Sequence, residues 1–124
     1  MEKEFIPYEE ALALKEFGFD EPCLGLYYGT SIKEEPEFLL EARSSQYYAE
    51  KGYVDAVLAP LYQQAFRWFR EKYFIVGYIV PKNGKYTYHV TSNSIKLEMN
   101  SFKTYEEAEL ECLKKLIEIV KSQF

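Results

Sequence analysis

The spacing of apolar and polar residues near the N-terminus predicts a short helix followed by a strand. Apolar residues recur at a helical spacing after Pro7, a residue that suits the first helical position. Glu9 and Glu10 favour the positive end of that helix, and Gly18 is typical of the position just beyond a helix C-terminus. Residues 23–28 then form a short apolar run, which predicts the first strand.

The next part of the chain gives a weaker pattern. Residues 29–37 are polar and include a proline, which predicts a turn. Residues 38–42 fit two interpretations, a second strand that pairs with the first or a helical turn, since two glutamates are spaced i, i+4. Residues 44–54 show no clear period, and the tyrosines of this acidic segment are Tyr47, Tyr48 and Tyr53.

The central part of the chain predicts a helix and a hairpin. Apolar side chains of residues 61–72 recur at a helical spacing over a wide arc, so we expect a helix that packs against more than one partner. Residues 74–80 are a continuous apolar run, which is typical of a strand covered on both faces. Asn83 and Gly84 then form the strongest short signal for a two-residue hairpin turn.

Two alternating segments follow the predicted turn. Residues 85–91 and, after a short polar stretch, residues 95–99 alternate apolar and polar side chains. With the preceding strand they predict a three-stranded antiparallel meander, and we expect Tyr86, Tyr88 and Val90 to pack on helices. The opposite face of the meander then presents polar and basic side chains, namely Lys85, Thr87, His89 and Lys96.

The C-terminal segment predicts a long helix. Thr104 and Glu107 match the capping box T-x-x-E at its start. Glu111 and Lys115 are spaced for an i, i+4 ion pair on its solvent side. The apolar positions behind the cap follow a helical period, at Ala108, Cys112, Leu113, Leu116, Ile117 and Val120.

These elements together predict an α+β fold. The 124 residues are a typical single-domain length, so we expect one domain over residues 1–124. Its core is a three-stranded antiparallel meander packed against helices. The sequence leaves open whether an N-terminal strand or hairpin extends this sheet.

Charge and aromatic content change this picture in two ways. The net charge is −5, yet residues 1–71 carry seven basic and fourteen acidic side chains, while residues 72–103 carry five lysines and a single acid, Glu98. The meander is therefore basic within an acidic chain. Aromatic residues make up 18% of the sequence, including twelve tyrosines, and tyrosine on a surface favours contacts with other molecules.

Catalytic and metal-binding patterns are absent from the sequence. His89 is the single histidine, which excludes two-histidine metal sites, and the glycines form no G-x-G-x-x-G, P-loop or G-x-S-x-G motif. Cys23 and Cys112 lie far apart in the sequence, and we expect both to be reduced core residues. We therefore predict a protein that is not an enzyme and takes no cofactor and no metal.

The sequence also bears on location. The N-terminus is acidic and no apolar segment follows it, so we expect no signal peptide. The longest apolar run, residues 73–80, is far shorter than the roughly 20 residues that span a bilayer. We expect a cytoplasmic protein with no membrane partner.

Two resemblances add to this interpretation. Residues 84–86 through 102–108 look like the three-strand-plus-helix pattern of plant AP2 domains and of phage integrase arm-binding domains, which implies DNA binding by the sheet. The arginine-rich sheet of such domains is not present here. Residues 5–23, 59–73 and 104–118 are similar to a group of small bacteriophage and mobile-element proteins without an assigned activity. This second resemblance implies a small accessory protein in a phage-infected host cell.

We therefore expect a non-catalytic binding protein whose partner is a host or defence protein, which it inhibits. One alternative is a nucleotide or nucleic-acid binder that uses the basic face of the meander. Another alternative is a phage structural or assembly component. The candidate partner-binding residues are Tyr47, Tyr48 and Tyr53 in the acidic segment, and Lys85, Thr87, His89 and Lys96 on the meander.

Overall fold

The computed structural model describes residues 4–28, 36–53, 55–98 and 101–124, with side chains for all of these except residues 39–41. The described elements, in chain order, are α1 (Tyr8–Glu16), β1 (Cys23–Tyr27), β2 (Glu37–Arg43), α2 (Ser45–Glu50), β3 (Val57–Ala59), α3 (Tyr62–Tyr73), β4 (Val76–Lys82), β5 (Lys85–Thr91), β6 (Lys96–Glu98) and α4 (Tyr105–Gln123). Four helices and antiparallel sheets confirm the predicted α+β class.

The chain divides into two compact units. Unit 1 is Met1–Leu61 and unit 2 is Tyr62–Phe124. Unit 1 contains a sheet of order β2-β1-β3, and unit 2 contains the predicted meander in the order β4-β5-β6. The described N-terminal strands thus form a sheet of their own and do not extend the meander. One domain over residues 1–124 stays a prediction.

The sheet of unit 1 is antiparallel, and its close packing depends on a glycine. Gly25 of β1 lies opposite Ala59 of β3. A Cβ atom at Gly25 would lie 2.6 Å from the Phe5 ring and 2.8 Å from the Ala59 carbonyl oxygen, so only glycine fits. The buried Tyr27 hydroxyl donates to the Ile6 carbonyl at 2.9 Å, which joins β1 to the segment before α1.

The predicted helix and strands of unit 1 are confirmed with small shifts. Pro7 directly precedes α1, and Gly18 has a positive φ of 97° just beyond it. Residues 37–43 form a strand, so the strand interpretation of this segment is correct and the helical-turn alternative is wrong. The strand β3, which is short and buried, has no counterpart among the predicted elements.

Helix α2 lies in the segment where the sequence predicts no element. Its start is fixed from outside the segment, because an Asp20 carboxylate oxygen accepts hydrogen bonds from the Ser45 backbone N–H, at 2.9 Å, and from the Ser45 hydroxyl. The Ser44 side chain makes no capping bond. A cap supplied from 25 positions away leaves no local sequence signal.

In unit 2, the predicted hairpin turn sets the register of the meander. Asn83 and Gly84 both have positive φ, 54° and 77°, as a type I′ turn requires. Lys82 therefore pairs with Lys85, and the ladder continues to the pair of Val76 with Thr91. The third strand is confirmed over Lys96–Glu98, and residue 99 of its predicted range lies outside the described residues.

Helix α4 packs on β4 and β5 and begins at the predicted cap. Thr104 Oγ1 accepts the Glu107 backbone N–H at 3.1 Å. The predicted ion pair between Glu111 and Lys115 is wrong. Lys114 approaches Glu111 at 3.5 Å and Lys115 approaches Glu118 at 3.3 Å, both at i, i+3 spacing.

Candidate functional site

An exposed group of aromatic and charged side chains lies on the β1–β2–α2 part of unit 1. We call it the tyrosine surface, and its residues are Tyr28, Glu37, Arg43, Tyr47, Lys51 and Tyr53. All six side chains are exposed, and the exposed fraction is 47% for Tyr28 and 54% for Tyr53. Tyr47 and Tyr53 are two of the predicted partner-binding residues.

An irregular register between β1 and β2 brings the charged residues of this surface together. Cys23 of β1 lies opposite Arg43, and Leu26 lies opposite Glu37, with a bulge between the two pairs. Three residue steps along β1 therefore match six along β2, so Glu37 and Arg43 are separated by roughly 10 Å along the sheet. A regular strand would place them about twice as far apart.

Cationic side chains cover the ring of Tyr47. The Arg43 guanidinium carbon lies 4.6 Å from the ring centroid, and the Lys51 Nζ lies 5.6 Å from it. Arg43 comes from the end of β2, whereas Tyr47 and Lys51 come from α2 and the residue after it. These contacts hold the ring in a defined position while leaving it exposed.

Tyr28 and Tyr53 form the other end of the tyrosine surface. Their ring centroids are 5.8 Å apart. A hydrogen bond from the Tyr28 hydroxyl to Glu37 raises the pKa of Tyr28 above its usual value, and the charge of Glu37 adds to this shift. Tyr28 is protonated at neutral pH, as tyrosine ordinarily is, and its hydroxyl is the donor in this bond.

Tyr48 lies beneath this surface rather than on it. Its side chain is buried, so the prediction that Tyr48 is accessible to a partner is wrong. The side chain packs against Tyr47 edge to face at 5.2 Å. Burial raises the pKa of Tyr48, and the charges of Arg43 and Glu37 act on the same hydroxyl in opposite directions.

The predicted basic face of the meander is only partly exposed. Lys85 and Lys96 are exposed and His89 is half-buried. Thr87 has an exposed fraction of 1%, so the prediction that it faces solvent is wrong. Alternation assigns a side chain to a face of the sheet, but it does not say whether that face is covered.

An ion pair crosses this face of the meander. Lys82 Nζ of β4 lies 2.7 Å from Glu98 Oε1 of β6, although β5 runs between these two strands. Lys82 lies beside Lys85, and Glu98 lies beside His89, so the pair spans the part of β5 that contains Thr87. The bond to Lys82 and its charge hold the pKa of Glu98 below its usual value, and His89 adds to this effect.

A stacked pair of rings lies beside this ion pair. The rings of Tyr78 and His89 are 5.2 Å apart and within 8° of parallel. Tyr78 stands on β4, directly opposite His89 of β5. Its side chain is 45% exposed.

Two further titratable side chains, Cys112 and Tyr27, are buried. Burial raises the pKa of the Cys112 thiol to about 12, with a contribution from Glu109, so the thiol is protonated at neutral pH. Burial also raises the pKa of Tyr27 to about 12, with a contribution from Glu10. The described residues contain no group of three or more side chains that could hold a metal ion.

Comparison with known proteins gives no relative from which a function could be transferred. No protein-family model, no curated protein and no solved structure matches this chain. Across the same described ranges, none of the helices combines the length and apolar character needed to cross a bilayer. The function of the tyrosine surface, and of the meander face that carries Lys85, His89 and Lys96, therefore has to be inferred from the side chains present there.

Several residues of these two surfaces are not among the predicted site residues, but two signals point to them. Tyr28 and Glu37 flank the polar stretch between two strands, so an antiparallel pairing of those strands brings them together. Tyr78 follows from the two-residue turn, because the pairing of Lys82 with Lys85 places Tyr78 opposite His89. Arg43 and Tyr47 are only four residues apart, but their contact needs β2 to end at Arg43 and α2 to begin at Ser45, and the sequence predicts neither of these boundaries.

Proposed function

We propose that this protein acts by binding another protein through the tyrosine surface. The observation that carries the proposal is the exposure of Tyr28, Tyr47 and Tyr53 on the β1–β2–α2 part of unit 1, with the Arg43 guanidinium over the Tyr47 ring. Tyrosine and arginine are the residue types over-represented in the energetic centres of protein interfaces. Their rings are held by neighbouring rings and cations, so little side-chain entropy is lost when a partner covers them.

The resemblance to small bacteriophage and mobile-element proteins supports a more specific role. On that basis the protein is a non-catalytic accessory protein, located in the cytoplasm of the host cell, that inhibits a host or defence protein. The acidic N-terminal part of the chain fits a target with a basic cleft, since complementary charge speeds association and excludes wrong partners.

A pull-down with matched tyrosine variants tests this proposal. Wild-type protein and the double variant Tyr47→Ser/Tyr53→Ser are incubated with host lysate at low salt. Tyr105→Ser serves as the control, because Tyr105 is a comparably exposed tyrosine in unit 2. We expect a protein that co-purifies with the wild type and the control, and that binds the double variant at least tenfold more weakly.

Two results would contradict the proposal. In the first, no protein co-purifies with the wild type at low salt. In the second, the recovered protein binds all three forms equally, which would place its binding site elsewhere on the chain. Circular dichroism of each variant checks that the fold is retained.

A second candidate function is nucleic-acid or nucleotide binding by the face of the meander. The observation that favours it is the exposure of Lys85 and Lys96 on the face that also carries Tyr78 and His89. Cations on one face provide the sequence-independent part of nucleic-acid affinity. Binding of this kind weakens with added salt and with Lys85→Glu.

A further inference from the structure

The register of the meander places two stacked aromatic rings, those of Tyr78 and His89, on the face that carries Lys85 and Lys96. Tyr78 and His89 are direct cross-strand neighbours, and their near-parallel rings stand side by side on that face. Since neighbouring strands lie roughly 4.8 Å apart, the observed ring separation of 5.2 Å means that both rings stand upright on the sheet.

The two ends of this stack differ in accessibility. His89 lies on the central strand, with Tyr78 on one side and Glu98 of β6 on the other. Tyr78 lies on β4, an outer strand of the meander, and its side chain is 45% exposed. A further flat ring can therefore join the stack on the Tyr78 side.

The charges around the stack suit a phosphate backbone. Lys85 lies four residues from His89 along β5, or roughly 13 Å, and Lys96 pairs with Thr91, two residues from His89 in the other direction. The two exposed lysines thus flank the stack from opposite ends of the face. Glu98 is the one acid between residues 72 and 103, and its ion pair with Lys82 offsets its repulsion of an anion.

We propose that this face binds single-stranded nucleic acid, with one base stacked on Tyr78 and neighbouring phosphates near Lys85 and Lys96. Every base has a flat face, so stacking on an aromatic ring tolerates sequence and contributes about 1–3 kcal/mol per base. A duplex is a poorer ligand because its bases already stack on each other. This inference rests on the second candidate function and adds the base-stacking position to it.

Fluorescence polarisation at low salt tests the inference with two labelled probes of equal charge. One is a twelve-residue oligothymidylate, and the other is an abasic strand of the same length that retains the sugar-phosphate backbone. We expect the wild type to bind the base-containing probe at least fivefold more tightly than the abasic probe, the lower limit of one stacked base.

Matched variants separate stacking from charge. Tyr78→Thr removes the ring but keeps a strand-forming residue, so it should bind both probes equally weakly. Tyr78→Phe keeps the ring and should keep the preference for bases, as should Tyr105→Ser, which removes a comparably exposed tyrosine on α4. Lys85→Gln with Lys96→Gln should weaken binding of both probes and reduce the salt dependence by about 0.7 logarithmic units per lost phosphate contact.

The outcomes distinguish this inference from the function on which it rests. Equal wild-type affinity for the two probes, with a loss in the lysine double variant, overturns the stacking position but leaves charge-based nucleic-acid binding intact. No binding of either probe at low salt overturns both. Tighter binding of a labelled polyglutamate of equal charge than of oligothymidylate also overturns the inference, since the face would then favour an acidic protein.

Discussion

Gly77 is a residue without a side chain at the point where β4 passes close to α4. A Cβ atom there would lie 2.8 Å from Cys112 Sγ and 3.2 Å from Leu116 Cδ1, and both of those residues are fully buried. We predict that Gly77→Ala lowers the free energy of unfolding of the protein by about 1–3 kcal/mol through overpacking. Urea denaturation followed by the fluorescence of Trp68, the single tryptophan, measures the change.

A double-mutant cycle gives the control for Gly77. If the clash with Cys112 is the cause, Cys112→Ala in the Gly77→Ala background should recover part of the loss, with a coupling of about 0.5–3 kcal/mol. Strictly additive effects of the two substitutions would contradict this explanation. Gly84→Ala is a useful comparison, because no atom lies within 4 Å of the added Cβ and only the positive φ is costly.

The burial of single residues is not always predictable from the sequence. The sequence predicts accessible positions for Thr87 and Tyr48, but both side chains are buried. The alternation of polar and apolar residues predicts the face of the sheet on which Thr87 lies. It does not predict the ion pair between Lys82 and Glu98, which crosses that face over the same part of β5 and joins residues of two other strands. Burial of Tyr48 depends on how α2 lies on its unit, which the local pattern does not encode.

At the scale of elements, the cap of α4 makes a quantitative prediction. Thr104→Ala removes the hydrogen bond from the Glu107 N–H and should lower the free energy of unfolding by about 1 kcal/mol. Thr104→Ser keeps the accepting hydroxyl and should cost only a fraction of that. The same Trp68 fluorescence assay applies, and an equal loss in both variants would show that the cap is not the cause.

The ion pair across the meander makes a prediction about pH. Lys82 holds the pKa of Glu98 below 4.5, so the stabilisation from this pair is present above that pH and is lost as the pH falls through the lowered value. We predict that Lys82→Met moves the pKa of Glu98 back towards 4.5, as measured by NMR titration of the carboxyl carbon. Lys96→Met is the control and should leave this pKa unchanged. An unshifted pKa in Lys82→Met would disprove the assignment to Lys82.

The elements differ in how well the sequence predicts them, and the reason is the range of the interactions involved. The helices with local caps or a clear period, α1, α3 and α4, and the hairpin fixed by Asn83 and Gly84 follow from neighbouring residues. Helix α2 depends on Asp20, and β3 is a three-residue strand that forms by pairing with β1. Local patterns do not contain such distant contacts, so both elements escape prediction.

The two candidate surfaces also show that local features are predictable from the sequence and that distant contacts are not. The exposure of single side chains is predictable from residue type, because tyrosine in a polar segment and lysine in a strand favour exposure. This applies to Tyr47, Tyr53, Lys85 and Lys96. Their grouping is not predictable from type alone. The tyrosine surface needs the bulge in β2, and the Tyr78–His89 stack needs the hairpin register.

For the whole molecule, the expectation of one domain has a measurable consequence. Each compact unit contains about 60 residues, a size at which an isolated domain is only marginally stable. We predict that residues 1–124 unfold in one cooperative step. Trp68 fluorescence reports on unit 2 alone, whereas far-ultraviolet circular dichroism reports on the helices of both units. Coincident urea transitions are expected, and separated midpoints would show two independent domains.

The burial of both cysteines has a practical consequence for studying this protein. Cys23 and Cys112 are the only cysteines in the sequence, and neither side chain reaches the surface of the folded chain. Maleimide reagents need an accessible thiolate, so the native protein should remain unlabelled at pH 7. A single cysteine placed at position 53 or 78 would then be the sole attachment point for a dye or cross-linker. Each of the two surfaces can therefore be probed separately without first removing a native cysteine.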